Sequence, residues 1–380
     1  RIVEYDVRTD EMLVNMGPQH PSTHGVLRLL LRTDGEIVHE VTPHLGYLHR
    51  CAEKIGENLA TPQWIPYTDR MDYLAGMNMN LGLALAVEKL LDIQLPDKAQ
   101  VVRVLIAELG RVASHLVGMG AYGLDLGTFS PFLWAFRERE IILDLFEEVC
   151  GARLTYSYIT PGGVTHDLPK SINLPPGLAA LTGQSPDTTV SWTDAVLQFL
   201  NWLEPRIEEY HTLLTRNQIF IKRTAGLGVM SAEMAKSFGC TGPVLRGSGV
   251  DWDLRRDGGV GLVHHQLDWK VWTHPDGDSF ARYWVRLQEV REACGMVEQI
   301  LDGIPSGPVM AKVPRIIKVP AGEAYVETEN PLGIMGYYVV SKGDLVPYRV
   351  KIRSASFNNV SITPWVLRGV YVPDVISILA

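Results

Sequence analysis

Apolar and polar positions alternate loosely from the start of the chain to Val41. The alternation is clearest in Leu27-Arg28-Leu29-Leu30-Leu31 and Glu36-Ile37-Val38-His39-Glu40-Val41, on either side of Thr33-Asp34-Gly35. That pattern predicts a hairpin within a small β region. From Asp72 the period becomes helical. Leu74, Met77, Leu81, Leu85 and Leu91 mark one face, and Pro96 opens a second helix with Val101, Val104, Leu105, Leu109, Val112 and Leu116 at its core. Ser130-Pro131 reads as an N-cap and first turn, followed by Phe132, Phe136, Ile142 and Phe146 up to a stop at Gly151. After a polar loop from Pro161 to Asp187, Trp192 to Arg216 reads as a fourth helix bent at Pro205. Asp278 caps a fifth helix, with Tyr283, Leu287, Val290, Cys294, Val297 and Leu301 on one stripe and Gly303 after it. Period two returns between Arg315 and Phe357, where Gly343-Asp344 is the turn of a second hairpin. The expectation is an α+β chain: an N-terminal β region over 1–70, a helical bundle over 71–310 and a C-terminal β region over 311–380.

Composition narrows the function. The 380 residues carry a net charge of −8 without a basic run, which argues against nucleic acid as a partner. The most apolar stretch, Leu81 to Val87, stops at Glu88-Lys89, well short of the ~20 residues of a spanning helix. Cys51, Cys150, Cys240 and Cys294 stand alone with no Cys-x-x-Cys pair. Structural zinc and an iron–sulfur cluster held by this chain alone therefore lack their ligand spacing, and the thiols read as reduced. No targeting segment precedes Asp6-Val7-Arg8, and a short segment is expected to be missing at each end.

Several segments hold candidate chemistry. Asn15-Met16-Gly17-Pro18-Gln19-His20-Pro21-Ser22-Thr23-His24-Gly25 places two histidines four apart. Pro21 and Gly25 favour a tight loop over a helix, which leaves a metal pair and a structured turn both open. Pro43-His44-Leu45-Gly46-Tyr47-Leu48-His49-Arg50 adds two more histidines, read as a solvated or hydrogen-bonded pair at a strand end. The acids of Tyr67-Thr68-Asp69-Arg70-Met71-Asp72-Tyr73 suit the dipole of the helix that follows. Asp125, among apolar neighbours, is either an N-cap or the partner of a cation. Arg137-Glu138-Arg139-Glu140 reads as a solvated helix face, and His264-His265 as surface.

Gly17 to Gly25, Gly46-Tyr47-Leu48-His49-Arg50, Asp69-Arg70-Met71-Asp72-Tyr73, Phe136-Arg137-Glu138-Arg139-Glu140, Pro347-Tyr348-Arg349-Val350-Lys351 and Pro373-Asp374 follow one another in this order. Together they resemble the 49-kDa subunit of respiratory complex I, the proton-pumping NADH:quinone oxidoreductase, over nearly the whole chain. That family is similar in fold to the large subunit of [NiFe] hydrogenases. Those enzymes hold their metals through paired cysteines, whereas Arg70-Met71-Asp72-Tyr73-Leu74 contains none, so hydrogenase activity is excluded.

The resemblance implies a quinone-reduction site shared with a partner subunit that carries the terminal [4Fe–4S] cluster, and no cofactor bound by this chain alone. His24 and Tyr73 become headgroup hydrogen-bond donors, Asp125 the partner of His24, and Met77 a lining residue that core packing explains equally well. His49, Arg50 and position 155 become neighbours of the partner's cluster. The chemistry suits these residue types, because reducing a quinone takes two electrons and two protons. A histidine titrates near neutrality, and a carboxylate beside it raises its pKa. A tyrosine donates to the developing negative charge. Further implied partners are a 30-kDa-type subunit and the membrane subunit of the quinone channel. The implied location is peripheral, on the cytoplasmic face of the plasma membrane or the matrix face of the mitochondrial inner membrane. NADH is expected to bind elsewhere in the complex.

Two positions depart from the family pattern. Cys51 stands where glycine is usual and is read as non-ligating. In Gly151-Ala152-Arg153-Leu154-Thr155-Tyr156-Ser157-Tyr158-Ile159-Thr160 the usual histidine and arginine are Thr155 and Thr160. Losing both groups favours the oxidised cluster, which implies a lower potential and menaquinone rather than ubiquinone as acceptor. Two other functions compete: a scaffold subunit of a hydrogenase-related membrane complex with a vestigial pocket, and a metalloenzyme using His20, His24, His44 and His49.

Overall fold

The structure, a computed structural model, describes residues 11–19, 25–258, 263–314 and 316–379. Strands β1 (Glu11–Met16), β2 (Arg28–Asp34) and β3 (Ile37–His44) form an antiparallel sheet in the order β1-β2-β3. The expected hairpin joins β2 to β3, with Asp34 opposite Ile37. Two short helices follow, α1 (Ala52–Gly56) and α2 (Thr61–Asp69), so the region up to residue 70 is not purely β.

Helix α3 (Gly76–Leu91) follows a single 3-10 turn at Tyr73–Ala75. The sequence marks one apolar face, but this helix is buried on two. Met77, Leu81 and Ala84 join the bundle core, while Met79, Leu83, Ala86 and Val87 pack under the C-terminal sheet. Gly82 permits the second contact, because a Cβ there would stand 2.8 Å from the Tyr337 ring. Helix α4 (Asp97–Asp125) has Pro96 at its N-cap and packs against α5 (Phe129–Cys150). Its Val104, Leu105, Leu109, Val112 and Leu116 are fully buried, as the helical stripe predicts. Helix α5 begins two residues earlier than Ser130-Pro131 suggests, with Thr128 at the N-cap. It ends at Gly151, whose φ of 76° is left-handed.

The fourth predicted helix is α6 (Trp192–Tyr210) with Pro205 inside it, and the chain continues as a π-helical turn over His211–Thr215. The loop between α5 and α6 is more structured than expected. It holds two short β ladders and a helix at Pro176–Thr182. Helix α7 (Ser279–Leu301) is capped by Asp278, whose side chain accepts from the Ala281 N–H. Helices α4, α5, α6 and α7 enclose the main core.

Strands β4 (Gly322–Asn330), β5 (Gly333–Ser341) and β6 (Arg349–Arg353) make a second antiparallel sheet in the order β6-β5-β4. The Gly343-Asp344 hairpin links β5 to β6 as expected. The chain beyond Arg353 is helical rather than β, ending in α8 (Val372–Leu379). Val375 and Ile378 of α8 pack against Leu29, Leu31, Val38 and Val41, so the first sheet is covered by the last helix. No helix among the described residues is long and apolar enough to cross a membrane.

Candidate functional site

The site-bearing segments lie at loops and element ends. The chain enters the first of them from β1 through Gly17-Pro18-Gln19 and returns at Gly25. His20 and His24 lie outside the described residues. The base of this loop is fixed where Arg28 donates to Asn15 Oδ1 at 2.8 Å and to the Tyr47 hydroxyl at 3.0 Å. Beside that base lies an open cleft of about 610 Å³ between Val14–Gln19 and Val372, Pro373 and Ile376 of α8. Helix α8 also reaches α4, where the Tyr122 hydroxyl stands 3.4 Å from Ser377 Oγ. Asp125, partly buried, is the last residue of α4, three positions beyond that contact. It therefore sits at a helix C-terminus, and the N-cap alternative falls away.

Tyr73 starts the 3-10 turn ahead of α3 and is 54% exposed. One helical turn on, Met77 is fully buried in the bundle core. Of the acids on either side of Arg70-Met71, Asp69 does not serve the dipole of α3, whereas Asp72 caps the turn that leads into it. Asp69 ends α2 and is buried, and its Oδ2 accepts both the N–H and the hydroxyl of Ser157 at 2.9 Å. Burial raises the Asp69 carboxyl above its usual range, and the Ser157 bonds oppose that shift. Burial likewise pushes Asp72 up to about 6, against backbone N–H groups of Leu74 and Ala75.

His49, Arg50 and Cys51 are all exposed between β3 and α1. Cys51 has φ 58°, a left-handed conformation that suits the glycine usual at this position. Helix α1 is anchored to the second sheet, where Glu57 pairs with Arg349 at 3.0 Å and Glu53 accepts from the Ile352 N–H at 2.9 Å. The Pro347–Lys351 motif thus holds the element behind His49 and Arg50 in place. Thr155, half-buried and left-handed at φ 58°, lies in a loop tied down by the buried Tyr156 ring against Phe146.

Two charged motifs behave differently from the sequence expectation. Arg137-Glu138-Arg139-Glu140 is only half solvated. Glu138 is buried and accepts from the Tyr210 hydroxyl and from Arg137, while Glu140 pairs with Arg153. His264 is buried rather than surface, 3.1 Å from Glu108 Oε1, while His265 remains exposed. Glu108 belongs to an ionic network that sequence reasoning missed. Arg111 and Arg255 meet Glu108 at 2.9 and 3.0 Å, and Arg255 also meets Asp253 at 2.7 Å. Arg246 joins Glu289, Glu329 and Asp253 at 2.7, 2.9 and 3.1 Å. His115 closes the network on Glu289 at 2.9 Å. Burial alone would raise Glu108 and Glu289, yet their cationic neighbours hold Glu108 well below its usual range and Glu289 at about 2. The available signal was Glu108, Arg111 and His115 at helical spacing inside the apolar stripe of α4.

Among the described residues no three His, Cys, Asp or Glu side chains come together as a metal site. His44 is half-buried and His49 exposed, and the other two histidines of the metalloenzyme alternative lie outside the described residues. Gly118-Met119-Gly120-Ala121-Tyr122-Gly123 has dinucleotide-loop spacing, but it lies inside α4 rather than between a strand and a helix.

Exposed loops on a well-packed α+β frame define a class of chain that offers residues to a site without enclosing it. The comparisons with known proteins give that class a family. Residues 125–319 and 313–380 match the family described as respiratory-chain NADH dehydrogenase, 49 Kd subunit. The chain is also similar to an NADH-quinone oxidoreductase subunit of Bacillus mycoides (strain KBAB4), 46% identical over 374 residues, covering 98% of this chain and 96% of that protein. The corresponding subunit of Chlorobium luteolum is 45% identical over 388 residues, covering 100% and 93%, and that of Geobacillus kaustophilus 46% over 374, covering 98% and 96%. The chain belongs to the 49-kDa subunit family of respiratory-chain NADH dehydrogenases.

Proposed function

We propose that this chain is the quinone-site subunit of a proton-translocating NADH:quinone oxidoreductase, contributing His24 and Tyr73 as headgroup donors and Asp125 as the partner of His24. The observation that carries the reading is similarity to an NADH-quinone oxidoreductase subunit over 98% of the chain, joined to an exposed phenol on a turn backed by the buried Met77. Electrons arrive from NADH through iron–sulfur clusters, the last of them a [4Fe–4S] cluster held by a partner subunit with tandem cysteines. His49, Arg50 and Thr155 face that cluster. A 30-kDa-type subunit and the quinone-channel membrane subunit complete the surroundings, at the cytoplasmic or matrix face of the membrane.

As the quinone gains electrons its two oxygens become basic. Tyr73 then hydrogen-bonds one oxygen as its charge develops and gives it the first proton, which water replaces, and a charged His24 supplies the second proton to the other oxygen. Loss of that proton leaves Asp125 without its cation, a local charge change available for coupling to proton pumping. Thr155 cannot titrate, so the potential of the neighbouring cluster is flat with pH and low, which suits menaquinone. His24→Ala and Tyr73→Phe in the assembled complex test the reading: quinone reductase activity falls by about 100-fold or more, the scale of a lost proton donor. Undiminished activity in both variants leaves the vestigial-pocket scaffold as the better description.

A further inference from the structure

Asp69 is a buried carboxylate outside the ionic network, and nothing in the proposed quinone chemistry uses it. Its surroundings assign it a task. Helix α2 ends on Asp69, and the chain then runs outward through Arg70, Met71 and Asp72 to the exposed Tyr73. It returns to the same carboxylate at Gly76, the first residue of α3. A Cβ at Gly76 would stand 2.9 Å from Asp69 Oδ1 and 3.4 Å from the Tyr156 ring. Asp69 therefore starts the turn that presents Tyr73, and its Oδ1 packs over Gly76 at the turn's end without a hydrogen bond to it.

The other oxygen holds a second loop. Oδ2 accepts the N–H and the hydroxyl of Ser157, both at 2.9 Å. Ser157 is left-handed at φ 48°, as is Thr155 at φ 58°. Non-glycine residues leave that region unless something holds them there, and two bonds to a carboxylate do so. A single side chain thus sits between the turn carrying the phenol and the loop carrying Thr155.

We propose that Asp69 is a positioning residue, clamping the Tyr73 turn to the Thr155–Tyr158 loop so that the phenol and the loop present one fixed geometry to the shared site. This rests on the quinone-site reading above. Neither oxygen of Asp69 reaches a substrate in this scheme, and its effect on turnover passes through Tyr73.

A double-mutant cycle in the intact complex tests it, with reduction of a hydrophilic artificial acceptor upstream of the quinone as the assembly control. Asp69→Ala lowers quinone-dependent turnover about tenfold, the scale of a lost hydrogen bond to a charged group. In a Tyr73→Phe background the same change costs about threefold or less, because the group being positioned has already lost its donor. A purely structural role gives the same factor in both backgrounds, and that result, or full turnover in Asp69→Ala, overturns the proposal. If Asp69→Ala does not assemble, Ser157→Ala enters the same cycle, losing one of the two bonds and about threefold in turnover. A Tyr73→Phe loss without an Asp69→Ala loss defeats the clamp alone. Full turnover in Tyr73→Phe by itself defeats the quinone reading and the clamp with it.

Discussion

The centre of the bundle and the rim of loops and turns that carry the candidate site residues are built on opposite terms. In the centre, Arg111, Arg246 and Arg255 meet Glu108, Asp253, Glu289 and Glu329 with nearly every charge out of water. Such groups are tolerable only because each has a partner close by. At the rim, Tyr73, His49 and Arg50 are exposed and Thr155 is half-buried. Of the non-glycine residues with positive φ among those described, three of four (Cys51, Thr155 and Ser157) sit in these rim loops. A left-handed non-glycine residue costs about 1 kcal/mol. The centre thus pairs its charges with one another, while the rim keeps left-handed backbone and exposed polar side chains.

The largest effect should come from breaking the centre. Arg246→Ala leaves Glu289, Glu329 and Asp253 short of a cation, and a loss of about 3–5 kcal/mol is expected for an orphaned buried charge. Thermal unfolding of the assembled complex measures it, and a loss under about 1 kcal/mol would mean that the network relaxes without Arg246.

The next contrast is electrostatic. The Asp72 carboxyl titrates near 6 in the folded chain and near 4 when unfolded. As pH rises through that window the unfolded chain gives up its proton first, so stability falls and stays lower above it. Asp72→Asn should remove this loss, a gain of about 1–2 kcal/mol at pH 7.5 and almost none at pH 4. Denaturation at the two pH values decides it, and an equal effect at both would rule out the titration.

The smallest effect belongs to the rim strain. Thr155→Gly should stabilise by no more than about 0.5 kcal/mol, as glycine enters the left-handed region freely but orders at greater entropic cost. A destabilised variant would show that the threonine is held by contacts stronger than the strain.

How much of this was legible in the sequence follows the same division. The long helices α3, α4, α5, α6 and α7 and the two hairpins were readable because apolar spacing repeats over many residues. The ends were not. The helices after Arg353 are short and carry too few turns to show a period, and the burial of α3 on two faces depends on a sheet formed some 240 residues later. Among candidate site residues, Tyr73 stands at the opening of the first long helix and His49-Arg50 beyond the end of β3, where the pattern puts them. Asp69 was mistaken for a dipole partner, because nothing in its neighbours announces Ser157, 88 residues further along the chain and adjacent in space. His264 was misread for the same reason: its acid, Glu108, is remote in sequence and adjacent in space.

The most direct measurement is the structure of the intact complex with a bound quinone. The account predicts the headgroup beside the Tyr73 turn, one carbonyl oxygen about 3 Å from the Tyr73 hydroxyl and the other within the same reach of His24. A headgroup resting against other residues, with Tyr73 covered by a partner subunit, would contradict it.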